Sequence, residues 1–409
     1  MNVARELKAR LGHVASVVGL PEGHFSIDTS GSPLTVVEGT GAHTLLPTHF
    51  EAGSYFNQPH ADHQLDYPAE RVPRLQVGPY VRFGGKVGIN AGGDVKIGTG
   101  AWFAPGSYVL LQDHSGYERP SVGARTVAST RLPGITVEDY AMVGRQSMVK
   151  WDVDYIGRGA VVAMRSTIGK EVGDYSIVGD RDKVLGYLPY RAAFIEYGKP
   201  SFEDLLKISD WGQVKSDWLK QHSRFMSEAG CTNVVPAMGE LLRTVNAKRR
   251  ATMLDMNPGI GNNMLEASRL GISVTGVAPT REMFPVILQR AEDAHTYNLK
   301  LRGEVSPTDL PYKDGGKDAL RNSTAGFNLV LNVQRDPSTP QEEMCAQLSE
   351  AARVAAPGGD VVLGYSRPGD AGSLIWHGSE RLGLTLAQET TDQDTDGQLH
   401  HLLVFRKKG

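Results

Sequence analysis

Cysteine is nearly absent: Cys231 and Cys345 are the only two in 409 residues. They lie far apart, which excludes a disulfide framework and a cysteine-based zinc site and implies a reducing compartment. No apolar run approaches the roughly 18 residues that a membrane-spanning helix needs, so no membrane partner is expected. An excess of positive charge is missing too. With 43 Lys and Arg against 46 Asp and Glu, the formal net charge is -3, and there is no basic surplus of the kind that nucleic acid binding uses. The opening MNVARELKARLGHVASVVG interrupts its apolar positions with charge and predicts an amphipathic helix rather than a secretory signal. A cytoplasmic protein is expected.

What the chain does have is a rhythm. Val77, Phe83, Ile89 and Val95 fall six residues apart, and Ile97, Phe103 and Val109 restart the beat after a two-residue slip. It resumes as Val137, Val143, Val149, Ile156, Val162 and Ile168, with one extra residue before Ile156. A period of six suits neither an α-helix nor one alternating strand, but it suits short strands of a parallel β-helix that turns a corner every six residues. Between Val109 and Val137 the beat stops, and the excursion that begins LLQDHSGYERP carries His114, the only histidine of the repeat.

The length predicts more than one domain. Residues 1–72 are expected to form a cap, because an end coil would otherwise expose strand edges and apolar interior. The repeat is expected over 73–190 and a helical linker over 191–235, in which Trp218, His222, Phe225 and Met226 fall near helical spacing. From 236 to 409 strand-like runs (ATMLDM, ISVTGV, FNLVLNV, DVVLGYS, LLVFRKK) alternate with helical ones (GNNMLEASRLG, REMFPVILQRAEDAHTYN, EEMCAQLSEAARVA). Such alternation means a parallel sheet covered by helices on both faces. The fold class is therefore mixed: a parallel β-helix followed by an α/β Rossmann-like domain.

The stretch VAMRSTIGKEVGDYSIVGDRDKV, Val162 to Val184, resembles the final coils of the left-handed β-helix (hexapeptide-repeat) acyltransferases. The resemblance covers about a quarter of the chain and implies transfer of an acyl group, most simply from acetyl-CoA, to a small-molecule or sugar acceptor. It implies that His114 is the general base on the acceptor hydroxyl or amine, with Asp113 beside it to orient the imidazole or the acceptor; a neutral imidazole can take that proton at pH 7. It also implies a homotrimer with CoA between subunits, Met164 and Ser166 on the pantetheine path, and Lys170, Arg181 and Lys183 near the nucleotide phosphates. The family usually carries small residues where this chain has Ala163, Met164 and Arg165, which puts the acyl channel's width in doubt. A zinc enzyme on such a coil needs three converging histidines. His114 stands alone in the repeat, and the nearby pair His60 and His63 in PHADH supplies only two, so no metal is assigned.

LDMNPGIGNN after a strand, then GISVTGV, PY, FNLVLNV and AAPGGDVVLGY, resembles the class I S-adenosylmethionine-dependent methyltransferases over about 160 residues. The resemblance implies S-adenosylmethionine as cofactor, with Asp255 ending the first strand and Gly259 and Gly261 in the turn that lets backbone approach its methionine part. Asn257 stands where the family has the first glycine, and asparagine tolerates positive φ better than most residues. Asp309, or alternatively Glu304, matches the acid near the adenine. Ala278 stands where the second strand should end in an acid that accepts from both ribose hydroxyls. Losing that carboxylate costs about 1.5–3 kcal/mol, or roughly 10- to 150-fold in affinity.

Two catalytic folds in one chain imply tailoring of one small molecule or glycan at two positions, with a raised effective concentration for the second step. Two competing readings are a trimeric scaffold in which neither site turns over, and a C-terminal domain that binds an acceptor, a partner or another nucleotide without methyl transfer.

Overall fold

Backbone pairing turns the six-residue beat into three ladders. The computed structural model describes strands at Phe25–Asp28, Thr35–Val37, His43–Thr44 and Thr48–Ala52, then residues 74–408 except 79, 85–86, 92–94, 111–133, 151–152, 201–203, 205–209, 229–235, 247–250, 313–325, 334–338, 366–370 and 394–398. The chain divides into two units, Met1–Tyr187 with Pro200–Ile208, and Leu188–Lys199 with Ser209–Gly409.

In the first unit, short parallel strands build sheets of six, five and seven strands, and through Thr167–Ile168 every third strand in chain order lands in the same sheet. Ile89, Val109, Val149 and Ile168 are in register in one sheet. Val77, Ile97, Val137 and Ile156 align in the second, and Phe83, Phe103, Val143, Val162 and Val178 in the third. Apart from partly buried Val77, these side chains are buried in one cluster along the axis. Each contributes about 1.5–3 kcal/mol by leaving water. At the corners, Tyr140, Gln146, Arg165 and Tyr175 take φ of 55–60°. Each of their N–H groups donates to a carbonyl of another corner, as Tyr175 does to Arg158 O at 2.8 Å. The stack ends where Val184–Tyr187 turns back antiparallel on Ser176–Val178.

The expected cap needs correction. The strand Thr48–Ala52 pairs with Gly88–Ala91, Thr35–Val37 with Arg74–Val77, and His43–Thr44 with Arg82–Phe83. The three sheets therefore begin well before residue 73. The beat misses these coils because the number of residues between their strands varies, and a polar residue, Thr44, holds the register position that Phe83 takes in the following coil. The amphipathic helix expected at the start and the pair His60 and His63 lie outside the described residues.

The second unit opens with helices α1 (Pro189–Gly198), α2 (Trp211–Glu228) and α3 (Pro236–Asn246). Its strands are β1 (Thr252–Asp255), β2 (Ser273–Ala278), β3 (Leu299–Gly303), β4 (Phe327–Val333), β5 (Ala355–Tyr365), β6 (Leu384–Gln393) and β7 (Leu399–Lys407). Between them lie α4 (Asn262–Arg269), α5 (Phe284–Asp293), α6 (Gln341–Val354) and α7 (Ala371–Trp376). The strand order is β3-β2-β1-β4-β5-β7-β6, and β7 alone runs against the others. This is a Rossmann-like doubly wound sheet, in which the order reverses between β1 and β4.

The helices expected as a linker are structural parts of this unit. Ala193 of α1, Trp218 of α2, Ile260 and Val286 of α5 form one buried cluster. Tyr197 packs tilted against Trp218 with ring centroids 5.7 Å apart and donates its hydroxyl to Glu282 O at 2.7 Å. Burial, then Glu282 and Glu196, push its phenol far above the ordinary value, so it remains a donor at any physiological pH. The side chains of His222, Phe225 and Met226 lie outside those described. Pro285 falls in the first turn of α5, where its missing N–H costs nothing.

Candidate functional site

In a doubly wound sheet, ligands bind beyond the carboxyl ends of the strands where the order reverses. In the second unit a cavity of about 550 Å³ occupies this position, lined by Met256, Asn257, Pro279, Glu304, Val305, Ser306, Pro307, Glu343 and Gln347. These residues follow β1, β2 and β3 or sit on the first turns of α6. The volume suits a small organic ligand.

The wall from β1 is set by its last residue. Asp255, 1% exposed, accepts the Asn257 N–H on Oδ1 at 3.1 Å, and Asn257 Nδ2 donates to Val333 O at 3.2 Å. The Asn257 side chain thus ties the turn to the end of β4. Asn257 is not among the positive-φ residues, whereas Gly259 (φ 53°) and Gly261 (φ 83°) are. The change from glycine at 257 therefore needs no tolerance of left-handed backbone, contrary to expectation. Gly261 opens α4, and a Cβ there would meet Ile287 Cγ2 at 2.9 Å, so close packing on α5 also demands glycine.

The second wall lacks the usual acid. β2 ends at Ala278, and its carbonyl accepts the N–H of Val305 at 3.1 Å. The carboxylate on this wall is Glu304, ion-paired with the buried guanidinium of Arg281; Glu343 lines the cavity as well. Asp309 is exposed, lies outside the lining, and is held in a turn by its N–H to Ser306 O at 3.1 Å. The third wall is a polar chain: buried Asn332 donates to Gln347 Oε1 at 2.7 Å, and Gln347 Nε2 donates to Glu343 Oε1 at 3.1 Å. Cys345 on the same helix packs against the sheet core, and burial pushes its thiol up.

A clamp holds the segment after Glu304. Arg353 donates to Leu310 O at 2.9 Å and Tyr312 O at 2.6 Å while its Nε reaches Glu350 Oε1 at 2.9 Å, and Glu350 Oε2 accepts the Leu310 N–H at 3.0 Å. Arg353→Ala should lower stability by about 1.5–3 kcal/mol, from the worth of charged hydrogen bonds. Hydrogen exchange should show faster amides over 304–312; unchanged rates there would show that the clamp does not hold the cavity rim.

Arg281, Asn332, Glu343 and Gln347 were not singled out from the sequence. Only the last two carried a legible signal, since residues four apart share one helix face.

In the first unit, His114 and Asp113 lie outside the described residues. Met164 is 71% exposed, and Lys170, Arg181 and Lys183 are exposed, whereas Ser166 is buried at 4%. Acidic residues interleave with these basic ones: Asp182 Oδ1 accepts the N–H groups of Gly169 and Lys170 at 2.7 and 3.0 Å, and Arg181 lies 3.6 Å from Asp180.

No family model matches the chain, and no curated protein matches it. Among solved structures, a SAM-dependent methyltransferase from Methanosarcina mazei is 13% identical, with 43% of this chain and 99% of that chain covered and a TM-score of 0.34. The N-methyltransferase NodS from Bradyrhizobium japonicum, in complex with S-adenosyl-L-homocysteine, is 15% identical over 42% of this chain and 86% of that one, with a TM-score of 0.33. The [4+2]-cyclase SpnF is 15% identical over 42% of this chain and 80% of that one, with a TM-score of 0.34.

Proposed function

We propose that the second unit binds S-adenosylmethionine and transfers its methyl group to a small-molecule acceptor. The observation that carries this reading is the cavity at the strand-order reversal: among the described residues, its charged lining consists of the carboxylates Glu304 and Glu343. With Glu304 paired to Arg281, the Glu343 carboxylate is the lining group that favours a cation. When bound, the cofactor supplies a methyl carbon made electrophilic by a positively charged sulfur.

The chain's own residues bind and orient. The turn through Gly259 and Gly261 brings backbone close to the ligand, Asn257 presents its side chain at the cavity, and Asn332 and Gln347 fix where Glu343 points. Ala278 is the departure, and a carboxylate at Glu304 stands near it. Titration calorimetry should detect binding of S-adenosylmethionine and S-adenosylhomocysteine. Absence of heat with either at about 1 mM, where affinity would be weaker than about 4 kcal/mol, overturns this reading.

For the first unit we propose acyl-CoA-dependent transfer to a hydroxyl or amine of a small molecule or sugar, on a left-handed coil, with His114 as base. The supporting observation is that the sheets run on past the excursion: Val109 pairs with Val149, and Ile135 with Val95, on either side of residues 111–133. A segment that interrupts a repeat while the sheets on either side keep their pairing is where functional loops are placed. A homotrimer is part of the proposal. An apolar row of Trp102, Met142, Val161 and Ile177 lies in register on the third sheet, and Trp102 is 42% exposed.

A further inference from the structure

We infer that Glu304, positioned by Arg281, supplies from β3 the ribose-binding carboxylate that β2 lacks. The inference rests on the cofactor reading above. Dinucleotide-binding folds place that acid just beyond the second strand, where it accepts from ribose hydroxyls. Here β2 ends in Ala278, but β2 and β3 are paired with Ala278 opposite Gly303, so the next residue, Glu304, stands beside the vacant position. The hydrogen bond from Val305 N–H to Ala278 O holds the two strand ends together.

Three features show that Glu304 is held in this place. Its φ is 58°, a conformation that a side-chain-bearing residue adopts only where its surroundings impose it. Its carboxylate bonds the Arg281 guanidinium, whose side chain is 2% exposed while that of Glu304 is 66% exposed. The arginine lies behind and the carboxylate faces the cavity. Gly303 makes room for this arrangement, since a Cβ there would sit 2.2 Å from Arg281 Cγ and 2.6 Å from its Nε. A carboxylate has about four acceptor sites, so an ion pair on one oxygen leaves capacity for a diol. Arg281 cannot lose its charge and holds the carboxylate oriented. It is a positioning residue, not a ligand.

Calorimetry on the full chain tests this with S-adenosylhomocysteine and its 2′,3′-dideoxy analogue. Glu304→Gln should weaken the first by roughly 10- to 150-fold, the range for a lost charged hydrogen bond, and the second by less than about 2-fold. Adding Ala278→Asp to E304Q should recover most of the loss, because the acid returns to β2. Arg281→Met should show the same diol-selective loss, and Arg281→Lys should recover part of it. Equal losses for both ligands would place the Glu304 contact elsewhere on the nucleoside and overturn the assignment alone, as would unchanged binding by E304Q. Failure of the wild type to bind S-adenosylhomocysteine overturns the cofactor reading and this assignment with it.

Discussion

Phe103→Ala should destabilise the first unit by about 3–5 kcal/mol, the range for removing a buried phenylalanine. Phe103 is 1% exposed and stacks on Phe83 with ring centroids 5.3 Å apart. The ring lies in register between Phe83 and Val143 inside one buried cluster, so its removal leaves a hole in that core. Lys96→Ala on an outward position of the second sheet is the control, with an effect within about 0.5 kcal/mol. The two units need not unfold together, so the measurement is a calorimetric scan that separates their transitions. For the first unit's transition the expected shift is on the order of 10 °C. A shift no larger than that of Lys96→Ala would mean that the inward rungs are not packed.

The same ladder explains what could be seen in the sequence. The register positions named above from Val77 to Ile168 all carry apolar residues, so a single period exposes the repeat without any structure. Upstream the period fails for a local reason: pairing needs only backbone, and Thr44 extends the rung of Phe83 without an apolar side chain. In the second unit, runs such as FNLVLNV and DVVLGYS announce central strands because both faces of the sheet are covered. Strand β6, LTLAQETTDQ, went unread because an edge strand carries polar residues on much of its surface. Strand β3, LKLRG, is too short an alternation to stand out.

The site divides along the same line. The glycine turn after β1 and the loss of acid at Ala278 are local and were legible. The pairing of Arg281 with Glu304 was not, because it joins the segments after two different strands and depends on the β2–β3 register. A chain that lacks one binding group in its usual place can supply it from a neighbouring strand, and only register reveals the substitution.

His114→Ala should reduce acyl transfer by about 10²- to 10⁴-fold, the usual worth of a general base. The proposal assigns the proton transfer to a neutral imidazole, so the sign of the pH dependence is fixed. An unperturbed histidine titrates near pH 6.5; below that value the ring is protonated and cannot accept, so kcat/KM should rise through about pH 6–7 and level off above. The variant should lose this limb as well as rate. Release of CoA thiol from acetyl-CoA over a panel of sugar hydroxyls and small amines is the readout, and light scattering should give the same assembly mass for both proteins. Asp113→Asn should cost less than His114→Ala, because its role is to orient. Unchanged turnover in His114→Ala overturns the base assignment. No thiol release by the wild type with any acceptor overturns acyl transfer itself, and the excursion at residues 111–133 would then require a different role.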